Sequence, residues 1–130
     1  MDKTSSEIFG HFIYDESLTY DQLLSVEDAF IEAVDAILER ADAENIDFTP
    51  MGDSLMLQCN CIGHKLYIFR KIACDLAEML PQTISGRLVC LSHSLTICHI
   101  YWLHPKKWEE QSFLIPKVPP EGLKAWHAAQ

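Results

Sequence analysis

Glycine is sparse in this 130-residue chain: five residues occur singly, too few and too scattered for a phosphate-cradling loop. There is no G-x-S-x-G elbow, no H-E-x-x-H helix, and no local motif joining a cysteine to a histidine. Nucleotide-dependent chemistry and catalysis are therefore not expected, and the chain reads as a non-enzyme without a cofactor. No apolar run approaches the roughly 18 residues of a membrane span. The polar start, Met1 to Glu7, lacks the apolar stretch of a secretory leader. The five cysteines, Cys59, Cys61, Cys74, Cys90 and Cys98, are odd in number and lie in apolar stretches, as reduced core thiols do. A cytoplasmic protein is the expectation.

Positive charge is scarce at one end. Residues 1–60 carry fourteen acids against Lys3 and Arg40, whereas residues 61–130 carry eight bases against five acids. The first half would repel a nucleic-acid backbone, so direct DNA or RNA binding is disfavoured and a basic protein partner is not. The remaining composition, 48% apolar and 22% charged, is that of a folded domain. A single domain over 1–115 is expected, followed by a proline-rich arm over 116–130.

Periodicity gives the elements. Residues 8–14 suit a strand or an arm lying on the core. Leu23, Val26, Phe30, Val34, Ile37 and Leu38 recur at helical spacing, with Thr19 and Gln22 as a capping pair and an end near Ala43. A short strand over 46–49 and a turn at Pro50–Asp53 follow. Residues 54–62 alternate, with Leu55, Leu57, Cys59 and Cys61 on one face. A second helix runs from Leu66 until Pro81 ends the pattern. Residues 86–92 and 95–103 read as a hairpin turning at His93-Ser94, although that dipeptide lacks the favoured glycine. A last strand is expected over 111–115 and a helical turn over 123–127. The fold class is α+β: a two-layer sandwich of a mainly antiparallel sheet with two long helices on one face.

Three candidate sites stand out. Asp28, Glu32, Asp35, Glu39 and Asp42 fall on one side of the first helix, an acidic stripe with no lysine to offset it. It suits either a solvated face or docking to a cationic surface. Trp102 and Trp108, beside Lys106 and Lys107, suit a protein interface. Cys59, Cys61 and His64 offer soft donors for zinc, but at poor spacing and lacking a fourth ligand.

The leading expectation is a small acidic protein-binding module, an inhibitor or immunity-type protein that occupies a basic partner surface through its first helix. The stripe residues, Trp102 and Trp108 would form the contact. One alternative is an acidic secretion-type chaperone that dimerises through the 88–103 hairpin, whose two faces are both apolar. The other is a small metal-binding or enzymatic domain built on Cys59, Cys61 and His64.

Overall fold

The computed structural model describes residues 4–119 and 121. The chain order is β1 (Ser5–Tyr14), α1 (Tyr20–Arg40), β2 (Glu44–Pro50), β3 (Ser54–Ile62), α2 (Leu66–Met79), β4 (Ile84–Ser92), β5 (Ile97–His104) and β6 (Lys107–Leu114). The fold is α+β, with two helices and one six-stranded antiparallel sheet in the order β2-β3-β1-β4-β5-β6. The expected helical turn over 123–127 lies outside the described residues, as does most of the proline-rich arm. Among the described residues no helix is long and apolar enough to cross a membrane.

The N-terminal segment is a central strand, not an arm. β1 pairs with β3 and β4 along nearly its whole length. Alternation explains the placement: Ile8, Phe12 and Tyr14 are buried, while Phe9, His11 and Ile13 face the other way. Two glycines make room for this strand. A Cβ at Gly10 would stand 3.1 Å from Leu57, and one at Gly86 only 2.5 Å from Phe12 Cδ1. With that space clear, Phe12 meets the edge of Phe30 at a centroid distance of 4.9 Å.

The Thr19–Gln22 capping box starts α1, with Gln22 N donating to Thr19 Oγ1 at 3.3 Å and Thr19 N donating to Gln22 Oε1 at 2.9 Å. The helix ends earlier than Ala43. Asp42 takes a left-handed φ of 59°, and the amides of Asp42 and Ala43 return to the carbonyls of Glu39 and Leu38. This is a Schellman stop with aspartate in the position glycine usually holds.

The hairpin turn between β4 and β5 spans four residues, not the expected two. Ser92 Oγ replaces the missing glycine chemistry by accepting from the amides of Thr96 at 3.0 Å and Ile97 at 3.1 Å. β6 starts four residues before the expected Gln111, because Lys106 at φ 60° closes a tight turn directly after β5. β2 is longer than 46–49, and a bulge between Glu44 and Asp47 takes up the left-handed Asn45.

One core unites both helices with the sheet. Leu55, Leu57, Leu88, Cys90, Tyr101 and Leu103 join Phe30, Val34, Phe69 and Leu76 in it. The alternate strand residues Val89, Leu91 and Ile100 stay only half-buried, and Trp102 is 37% exposed. The tight fit at Gly86 yields a prediction: Gly86→Ala lowers stability in urea denaturation by about 1–3 kcal/mol. Combining it with Phe12→Leu costs less than the sum of the two single changes.

Candidate functional site

β1 ends at Tyr14, whose amide donates to the Asp53 carbonyl at 3.4 Å. The Asp15 amide donates to Thr83 at 2.8 Å, which ties the strand end to the start of β4. Asp15 and Asp53 therefore leave adjacent backbone at one end of the sheet, and both are exposed. The Asp53 turn is closed by Met51 N donating to Ser54 O at 2.9 Å and by Gly52 at φ 94°. Asp15 Oδ1 accepts from Ser17 N at 3.1 Å. Neither carboxylate has an ion-pair partner among the described residues.

Tyr14 turns its ring to the opposite side and donates to Glu27 of α1 at 2.6 Å. Burial, reinforced by Glu27, holds the phenol above its ordinary pKa. Glu27 is buried despite its position in an acidic helix; its partner, thirteen residues away, is what makes the burial tolerable.

Next to the carboxylates runs a groove on the less buried side of β1, β4 and β5. His11, Arg87 and Trp102 are cross-strand neighbours in one row, and Ile13 and Ser85 form the next. A 290 Å³ hollow is lined by these residues with His104, and a 310 Å³ hollow continues from Ile13, Ser85 and His104 to Asp15. Arg87 is exposed and has no hydrogen-bond or ion-pair partner among the described residues. The groove thus combines the Asp15 carboxylate, a guanidinium without a partner among the described residues and an exposed indole, with the Asp53 turn beside its end.

The residues singled out from sequence are dispersed. Asp28, Glu32, Glu39 and Asp42 are exposed and Asp35 is half-buried. None of the five lines the groove, and Asp42 serves the helix stop. Trp102 does line the groove. Trp108 packs on the core, its ring centroid 5.9 Å from that of Tyr101. Asp15, Asp53 and Arg87 were not anticipated.

Nor do the cysteines and His64 make a metal centre. Cys59, Cys61 and Cys90 are buried, and burial raises all three thiol pKa values, that of Cys59 to about 12, so they remain protonated. Among the described residues no group of three or more histidine, cysteine or carboxylate side chains is arranged to hold a metal. His64 is engaged with His99 instead, Nε2 to Nε2 at 2.9 Å.

The chain matches no protein-family model and no curated protein. It is similar to a solved structure of the catalytic core of a rhodopsin-guanylyl cyclase with converted specificity, in complex with ATPαS. The TM-score is 0.51 at 15% identity, over 87% of this chain. The chain spans 65% of that structure's length. The adenylyl cyclase CyaB from P. aeruginosa is more distant, with a TM-score of 0.36 at 12% identity, over 85% of this chain and 67% of that one.

The fold is therefore similar to that of the rhodopsin-guanylyl cyclase catalytic core. This overturns the inhibitor or immunity-type module, the secretion-type chaperone and the small cysteine–histidine metal domain, and with them the expectation of a non-enzyme. That expectation rested on missing glycine-rich and nucleophile motifs, which are features of sequence and do not decide what a fold can host. If the groove residues are spared by folding, Arg87→Ala and Asp53→Asn each change stability by less than about 0.5 kcal/mol in urea denaturation.

Proposed function

We propose that this chain is a cyclase-like domain that binds a nucleoside triphosphate together with a divalent cation in the groove between Asp15 and Trp102. Its two helices and sheet would form a two-layer sandwich, with the groove on the layer's open side. The observation that carries the reading is Asp15 at the groove's end, with Asp53 on the backbone that Tyr14 N bonds next to it.

The donor set fits the ion. Magnesium takes hard oxygen ligands, commonly one or two carboxylates completed by substrate phosphates and water, so no all-protein cage is required. When bound, the cation would neutralise phosphate charge. Asp15 and Asp53 would hold it, Arg87 would bind a phosphate oxygen, and Trp102 would offer a stacking face to a base. Glu16 and Asp21 follow Asp15 closely in sequence, so a bare triphosphate would meet repulsion. Binding should depend on the metal.

Titration of Trp102 fluorescence with ATPαS and with GTP, with and without magnesium or manganese, tests the reading. Binding is expected only with metal. The double variant Asp15→Asn, Asp53→Asn should weaken it by at least about tenfold, or 1.4 kcal/mol. Absence of metal-dependent binding at millimolar nucleotide would overturn the proposal, and cyclic-nucleotide formation can be assayed in the same samples.

A second reading concerns self-association. Phe9, Val89 and Ile100 form a cross-strand row on the groove side, flanked by Leu91, and none of the four belongs to the core that the helices share with the sheet. We propose that a second copy covers this face through the 88–103 hairpin. Sedimentation should give a dimer, and Ile100→Glu a monomer that keeps the wild-type circular dichroism; a monomeric wild-type chain defeats the idea.

A further inference from the structure

At the sheet end opposite Asp15, four side chains and one carbonyl form an unbranched hydrogen-bond chain. Ser112 Oγ lies 2.5 Å from His99 Nδ1, His99 Nε2 lies 2.9 Å from His64 Nε2, and His64 Nδ1 lies 2.7 Å from Ser6 Oγ. Ser6 Oγ in turn donates to the Gly63 carbonyl at 2.8 Å. That carbonyl can only accept, so it sets the direction of every link. Ser6 has spent its proton on Gly63 and must accept from His64 Nδ1–H. Neutral His64 then offers only a lone pair at Nε2, and His99 must supply Nε2–H. His99 Nδ1 is left bare, facing the Ser112 hydroxyl.

This polarity makes the two imidazoles unequal toward added protons. A first proton can enter at His99 Nδ1, where Ser112, itself exposed, need only turn its hydroxyl to become the acceptor. No other bond changes. A second would have to sit on His64 Nε2 and would meet His99 Nε2–H head-on at 2.9 Å, with two positive charges in contact. The pair cannot hold both while it remains closed.

We infer that His64 and His99 form a one-proton clasp, which fastens the β3–α2 loop to β5 and is opened by a second proton. The loop's attachment to the sheet runs largely through this chain: Gly63 and His64 are held by Ser6 and His99, and Gly63 N donates to Thr4 O at 2.9 Å. Phe69 of α2 packs on both rings, with centroids 5.0 Å from His64 and 6.0 Å from His99.

The surrounding charges agree with this order of uptake. From β6, Glu110 favours a charged His99, while Arg70 of α2 opposes it and is itself paired with Glu110 at 2.8 Å. Cys90 of β4 stands opposite His99 and Cys61 of β3 opposite Ser6; burial keeps both thiols protonated and uncharged. Burial also lowers the proton affinity of both imidazoles. An ordinary imidazole takes up its proton near about pH 6.5. The released state therefore gains protons first, and the closed loop loses stability as pH falls through and below that value.

Imidazole nitrogen NMR on the full chain, recorded with backbone amide spectra from neutral to acid pH, tests the clasp. His99 should protonate first, with the amides of Gly63 and Lys65 unchanged. His64 should follow at a proton concentration at least about tenfold higher, together with loss of those native loop signals. His64→Gln removes the second site while keeping an acceptor for His99, so its loop should survive to lower pH than that of the wild type. Protonation of His64 with the loop amides still native would overturn the inference, and so would loop loss at the same pH in wild type and His64→Gln, including loss by global unfolding.

Discussion

Backbone hydrogen bonding along both edges of β1 governs the rest of the molecule. Because Ser5–Tyr14 pairs with β3 on one side and β4 on the other, its two ends become the two chemically distinct ends of the sheet. Tyr14 and Asp15 are placed beside the Asp53 turn, and Ser6 is placed beside Gly63 and His64. The pairing requires that Phe12 sink between its neighbours, which in turn requires that Gly86 have no side chain. A residue with a Cβ at Gly86 would disturb the register on which both ends depend. Glycine acts here as a space-maker inside a strand, a role quite different from the phosphate loop for which glycine was first considered.

What was legible in the sequence follows from the range of the forces involved. Periodicity is local, so α1, β3 and α2 could be read from Phe30, Val34 and Leu38, from the alternation of Leu55 to Cys61, and from Leu66 with Pro81. Capping is local too, and Thr19 with Gln22 fixed the helix start. The apolar parity of β4 and β5 was also readable, with Val89, Leu91, Cys98, Ile100 and Trp102 together on one face, as the register shows. Turn lengths were less so, because Ser92 and Lys106 solve them by side-chain bonding and a left-handed backbone rather than by glycine.

The candidate site was almost illegible, for a single reason: it is made by strand order. Asp15 follows the first apolar segment and Asp53 ends the Pro50–Asp53 turn, thirty-eight positions apart in the chain. Only the insertion of β1 next to β3 brings them together. Arg87 and Trp102 are fifteen positions apart until pairing sets them side by side, and His64 and His99 meet only because the β3–α2 loop lies against β5. The acidic stripe on α1 drew attention because its spacing is visible in one dimension. Its members lie away from the groove, four of them exposed and Asp35 half-buried, with Asp42 spent on terminating the helix.

The lopsided charge takes on a different meaning once the sheet is assembled. In sequence it separates an acidic half from a mildly basic one, which suggested a surface for a cationic protein. In three dimensions β1, flanked by acidic-half β3, sets its end against basic-half β4, so Asp15 borders a groove whose far wall is Arg87 and Trp102. A groove with carboxylates at one end and a guanidinium further along is repulsive to a bare polyanion at one end and attractive at the other. The proposed metal-bearing ligand would resolve that gradient by bringing its own cation to the acidic end.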